Sequence, residues 1–140
     1  MRNRVVLSLL ILTLLVLVTA ACEGAYVESG SRSSSQQGMN GGQVSAQIGK
    51  ANGSIERDIE VDGSPNGAAE ADVTLSVEKG TFKIELIGEN DEVTLSLGAS
   101  DGQAVSGHGW MAVDSFGEMS YRITAVDAEN VEYTIEYTFQ

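Results

Sequence analysis

Few residues of this 140-residue chain could do chemistry. The only histidine, His108, and the only tryptophan, Trp110, stand two apart in the run Gly107-His108-Gly109-Trp110-Met111. Glycines inside a strand mark a bulge, a bend or a close backbone approach. With Val105, Met111 and Val113 turned inward, His108 and Trp110 share the outward face. There an imidazole and an indole could stack on a sugar ring or anchor a partner. The competing reading is a bulge that flips the register and makes Trp110 a core residue. A serine nucleophile would need His108 as base, with an acid such as Asp114 behind it. The run around His108 is not the G-x-S-x-G elbow of a hydrolase, however. A single histidine also leaves no His-rich zinc site. No catalytic residue is assigned, and a hydrolase is the least favoured class.

Acidic side chains offer a second chemistry. The chain has 20 Asp and Glu against 8 Lys and Arg, a net charge of −12. Glu89-Asn90-Asp91-Glu92 supplies the hard oxygen ligands that calcium takes, as do Asp58, Glu60 and Asp62 near Asn66. No D-x-[DN]-x-[DN]-G loop is present, and the first set also reads as a polar turn between two strands. A surface this acidic repels nucleic acid and anionic lipid, which excludes nucleic acid as a partner.

The elements that must position these residues are strands. From about residue 43 apolar and polar residues alternate, the signal of half-buried strands. A short strand over 44–48 and another over 55–61 come first, the second with Ile55, Arg57, Ile59 and Val61 on one face. After a Gly/Pro/Asn loop at 62–67, Val73, Leu75 and Val77 share a face. Glu78-Lys79-Gly80-Thr81 predicts a hairpin into Phe82, Ile84 and Leu86. Further strands follow over 93–97, 104–113, 119–125 and 131–139, with a loop at 127–130. Short strands at this spacing predict an all-β fold, an antiparallel two-sheet sandwich of the jelly-roll or immunoglobulin-like kind. Tyr121, Tyr133 and Tyr137 fall with the core set. The stretches KGTFKIEL, DSFGEMSYRITA and VEYTIEY are similar to bacterial secreted β-sandwich modules appended to extracellular enzymes, and no functional residue is carried over from them.

The amino-terminal segment gives an address. Arg2 and Arg4 precede an apolar run over 5–18, shorter than the roughly 20 apolar residues of a membrane-spanning helix. Small residues follow, then Cys22, the only cysteine. Val18-Thr19-Ala20-Ala21-Cys22 resembles the lipobox of bacterial lipoproteins, with Thr19 where an aliphatic is usual. The resemblance implies a diacylglycerol on the Cys22 sulfur, cleavage after residue 21 and acylation of the new amino terminus, with palmitate among the chains, and hence a lipid-anchored, extracytoplasmic protein. Glu23 stands where Asp would signal inner-membrane retention in enterobacteria, which points to the outer membrane where one exists. Loss of Arg2 and Arg4 leaves the processed chain at −14.

Residues 22–42, rich in Ser, Gly and Gln, read as a flexible linker spanning about 25 Å, and 43–140 as the β-sandwich domain. The expected protein is an envelope lipoprotein whose domain binds another envelope protein or has a structural role. The alternative is a carbohydrate-binding module that uses His108 and Trp110, with or without calcium.

Overall fold

The structure, a computed structural model, describes residues 25–61 and 67–140. The export segment, Cys22, Asp62 and Asn66 lie outside the described residues. Seven strands make up nearly all of it: β1 (Val27–Ser29), β2 (Arg32–Gly38), β3 (Gly41–Glu60), β4 (Gly67–Ile87), β5 (Val93–Ser100), β6 (Gln103–Val113) and β7 (Glu118–Phe139). Every pairing among them is antiparallel. The all-β antiparallel sandwich that the alternation predicts is the fold.

The two layers are one sheet folded on itself. β3, β4 and β7 are 20, 21 and 22 residues long. Their registers slip at one level, between Ala51 and Gly53 on β3 and between Lys79 and Thr81 on β4, where they face residues 125–129 of β7. The positive φ angles of Gly53, Gly80, Asp127 and Asn130 fall on this line. So do those of Gly30, between β1 and β2, and Gly102, between β5 and β6. A single crease therefore runs across the whole sheet. On one side of it lies the order β2-β3-β7-β4-β6, and on the other β1-β3-β7-β4-β5.

Four expectations are corrected by this geometry. The hairpin at Gly80 and the loop at 127–130 are bends within continuous strands. An inserted residue shifts the apolar phase of β4 from Val73, Leu75 and Val77 to Phe82, Ile84 and Leu86, which is also what a hairpin would do. The separate strands over 44–48 and 55–61 are likewise one strand. The linker expected over 22–42 contributes β1 and β2. All seven residues of β2 are exposed. It is held by its backbone ladder to β3, from Arg32↔Gln47 to Gly38↔Gly41, rather than by burial.

The core fills the fold. Phe82 of the β5 layer stacks on Tyr133 of the β6 layer with ring centroids 5.9 Å apart. The buried hydroxyls of Tyr121 and Tyr133 meet across the layers at 3.0 Å. Tyr121, Tyr133 and Tyr137 are all core residues, as the alternation places them.

At the crease, the Gly80 N–H donates to Asp101 Oδ1 at 2.7 Å, and the Asp101 N–H returns a bond to the Gly80 carbonyl at 3.1 Å. Gly80 has φ 75°, and a Cβ there would lie 2.2 Å from the Asp127 carbonyl oxygen. Left-handed backbone alone costs a residue with a side chain about 1–2 kcal/mol. Gly80→Ala is expected to lower unfolding free energy by at least that much, read as a lower urea midpoint at unchanged slope. An unchanged midpoint would mean that the crease tolerates a side chain.

Candidate functional site

β6 pairs with β4 in unbroken register, from Gln103↔Val77 to Val113↔Gly67. The glycines around His108 therefore make no bulge. They admit a close approach: a Cβ on Gly109 would lie 2.7 Å from Leu95 Cβ of β5. Residues 105, 107, 109, 111 and 113 face inward, and His108 and Trp110 face outward together, opposite Asp72 and Glu70 of β4.

His108 is exposed, and its Nδ1 lies 2.8 Å from Asp72 Oδ1. Asp114 is not its partner. That carboxylate holds its own turn, accepting the N–H groups of Phe116 and Glu118 at 2.8 and 2.9 Å. The hydrogen bond to Asp72, aided by the charges of Asp72 and Glu70, raises the His108 pKa above its ordinary value.

Trp110 is half-buried. Its N–H donates to Thr94 Oγ1 at 3.3 Å, and the Thr94 hydroxyl donates back to the Trp110 carbonyl. The free hydrogen-bonding edge of β6 is thus stapled to β5. The indole rim covers Gly88, where a Cβ would fall 2.8 Å from Trp110 Cη2. Part of the ring remains on the surface.

The outward face around this pair is polar and five strands wide. One row across it reads Ser106, Thr74, Thr134, Ser45, Ser34, and the next His108, Asp72, Glu136, Gln43, Gln36. Hydrogen bonds tie parts of it together: Ser45 Oγ to Thr134 Oγ1 at 3.2 Å, Gln43 Nε2 to Ser45 Oγ at 3.0 Å and Gln47 Nε2 to Glu132 Oε1 at 3.1 Å. Thr74, Ser76, Ser106, Glu132 and Thr134 border a shallow depression of about 390 Å³. Neighbouring hydroxyls and amides sit about 4.8 Å apart along each row and can both donate and accept.

The turn expected to hold calcium is closed by its own backbone. The Glu92 N–H donates to the Glu89 carbonyl at 3.1 Å, and the Gly88 N–H to the Glu92 carbonyl at 2.7 Å. Glu89, Asn90, Asp91 and Glu92 are all exposed. Among the described residues, no group of three or more His, Cys, Asp or Glu side chains could hold a metal ion.

A second polar cluster lies on the opposite side of the sandwich. Arg57 faces inward between Ile55 and Ile59, and its guanidinium donates to Glu28 Oε2 at 2.7 Å. The Tyr26 hydroxyl donates to the same oxygen at 2.7 Å, and the Arg57 guanidinium sits 5.8 Å from the Tyr26 ring centre. Burial first, and then the Glu28 carboxylate, push the Tyr26 pKa upward. Arg57 also lines a cleft of about 560 Å³ with Ser33, Ser35, Gln37 and Tyr121 on its walls. Sequence reasoning placed Arg57 on one face with Ile55, Ile59 and Val61. It missed Tyr26 and Glu28, which lay in the supposed linker, and Asp72 and Thr94, whose roles depend on strand pairing.

No family model matches the chain, and no curated protein matches it. Among solved structures, the CBM22-1 xylan-binding domain from Paenibacillus barcinonensis is similar at 12% identity and TM-score 0.42, covering 82% of this chain and 85% of that one. A carbohydrate-binding module of a Cellvibrio mixtus lichenase, solved with cellotriose, matches at 11% identity and TM-score 0.38, covering 83% and 97%. A Bacillus endospore appendage protein, of a family of disulfide-linked pili, matches at 13% and 0.44, covering 84% and 97%.

Two predictions follow from the β6 geometry. A raised His108 pKa means that the Asp72 pair stabilises the fold below the unfolded value near 6.5 and that this contribution is lost as pH rises through the folded value. An NMR titration of this sole histidine should give a midpoint above 6.5, and Asp72→Asn should return it to the ordinary range. In the second, Gly88→Ala should displace the indole, moving the emission of the only tryptophan to longer wavelength. An unshifted spectrum would show that the ring does not rest on Gly88.

Proposed function

We propose that this protein is a non-catalytic, lipid-anchored envelope protein whose sandwich binds a neutral polysaccharide across the outward face of the β6 layer. The observation that carries the reading is the face itself: rows of hydroxyl and amide side chains, five strands wide, bordered by a partly exposed indole. Hydroxyl and amide groups exchange hydrogen bonds with sugar hydroxyls, and an indole face packs on the apolar face of a sugar ring. The carboxylates interspersed in those rows, together with the acidity of the whole chain, disfavour anionic polymers. Anchoring comes from acylation of Cys22, supported by the lipobox-like run 18–22. His108 and Asp72 supply polar contacts here rather than acid–base chemistry.

A second reading has one specific observation behind it. Among the described residues β2 is an exposed edge strand that pairs only with β3, and its other backbone edge offers a place for strand addition by a protein partner.

Titration with soluble neutral glucans and xylans, followed by Trp110 emission and melting temperature, tests the glycan reading. At about 100 times Kd a ligand adds about 2.7 kcal/mol of stability, worth roughly 4–8 °C per kcal/mol for a domain near this size. Trp110→Ala should weaken binding by about tenfold, the equivalent of 1.4 kcal/mol. A panel with neither emission change nor melting shift sinks the glycan reading and favours the protein partner.

A further inference from the structure

The anchor and the first strand are separated by very little chain. Ala25 already bridges to Ser54, and β1 pairs with residues 50–52 of β3 from Val27↔Asn52 to Ser29↔Lys50. Only Glu23 and Gly24 stand between Cys22 and Ala25. Three Cα steps of 3.8 Å reach at most about 11 Å, less than half the stand-off expected of a linker over 22–42.

β1 is also fastened to the body. Glu28 receives Arg57 and Tyr26 at 2.7 Å each, with the Arg57 and Glu28 side chains 24% and 23% exposed. A charge-assisted bond this protected resists peeling the strand away to lengthen the tether. Around the attachment point the crease presents two exposed apolar side chains, Val27 and Val126, 65% and 55% exposed. The exposed Lys50 lies opposite Ser29 in the β1–β3 pairing, two residues along β3 from Val27's partner Asn52, with its Nζ 4.0 Å from Glu129 Oε1. The Asn52 amide of β3, whose residue is the register partner of Val27, donates to Asp127 Oδ1 at 3.4 Å at the bend of β7, next in sequence to Val126. β1 and β5 are the outer strands of their layer, with β3, β7 and β4 between them. Four spacings of about 4.8 Å put the far side about 19 Å away.

We propose that the β1 end of the crease, around Val27, Lys50 and Val126, is a membrane-facing surface held on the lipid headgroups by the acylated Cys22. In that orientation the β6 side of the molecule, with His108 and Trp110, points away from the bilayer. The inference rests on the lipid anchor proposed above and replaces a domain that stands off on a tether with one seated on the membrane. The acidity of the chain makes zwitterionic headgroups the matching surface.

The test uses the full chain, processed and acylated in a bacterial host and reconstituted into phosphatidylcholine vesicles. The diacylglyceryl thioether occupies the sulfur of Cys22, so a nitroxide can be placed alone at position 27 through Val27→Cys or at position 106 through Ser106→Cys. Collision with a water-soluble nickel chelate should be several-fold lower at 27 than at 106, with the opposite order for membrane-soluble oxygen. A dozen or so Gly and Ser residues inserted between Gly24 and Ala25 should abolish the difference. Vesicle-bound protein with both labels equally aqueous overturns the seated orientation and leaves the anchor standing. If wild type and Cys22→Ser both stay off the vesicles, the anchor fails and the orientation with it.

Discussion

Three adjacent strands that bend on the same line impose the constraint from which this structure follows. A sheet of 20-residue strands cannot stay flat and bury one face of itself, and twist alone does not close it. The register slips at residues 51–53 of β3 and 79–81 of β4, opposite 125–129 of β7, let it fold along a crease. The two halves of its inner face then cover each other. Backbone groups freed by the slips need partners, and at Gly80 the Asp101 side chain supplies one. The layers share three strands, so Phe82 and Tyr133 are both packed across the core and tied to the same continuous backbone.

The crease closes one end and leaves two long sides, and the chain seals these differently. On the β5–β6 side the seal is steric: Leu95 lies over glycine-bared β6, Trp110 covers Gly88, and Thr94 takes both backbone groups of Trp110. The inward side chains there are apolar: Leu95 and Leu97 of β5, and Val105, Met111 and Val113 of β6. On the β1–β2 side the seal is polar. β1 is only three residues long, so the inner surface beyond it stays open as a cleft. The Arg57–Glu28–Tyr26 cluster holds that short strand in place. A charge pair suits that position because it is partly protected from water without being stripped of it, avoiding the larger cost of full burial.

Much of this was legible in the residues, and the parts that were not share one cause. Period-2 alternation located the strands after residue 43, put Tyr121, Tyr133 and Tyr137 in the core, set Arg57 on the same face as Ile55, Ile59 and Val61, and offered an outward His108 and Trp110 against a bulge that would turn Trp110 inward. A phase shift of one residue, as at Gly80, means only that the chain inserts a residue there. Whether it reverses into a hairpin or continues as a bent strand depends on whether a neighbouring strand bends at the same level, and that is a non-local fact. β2 was illegible for a related reason. Its RSSSQQG sequence buries nothing, so it carries no alternation, and only its ladder with β3 makes it a strand. Asp72 could be matched to His108, in place of Asp114, only once β4 and β6 were known to pair.

The polar character of the outward β6-layer face and that of β2 have a common physical consequence. An open edge strand is a template for aggregation when it is flat and apolar. Here β2 offers serines, glutamines and Arg32, which water solvates well, and the adjoining rows carry Glu132 and Glu136, whose repeated charge opposes stacking of two copies. The same rows give the face its hydrogen-bonding capacity. Selection for solubility alone would be met by charged residues at every outward position, as on the outward side of β3 at Glu56, Asp58 and Glu60. The row of Ser106, Thr74, Thr134, Ser45 and Ser34 is instead uncharged across all five strands. Uncharged hydroxyls shed water at lower cost than carboxylates. On the reading proposed above, that row is the part of the β6-layer face that is desolvated at least cost when a ligand docks.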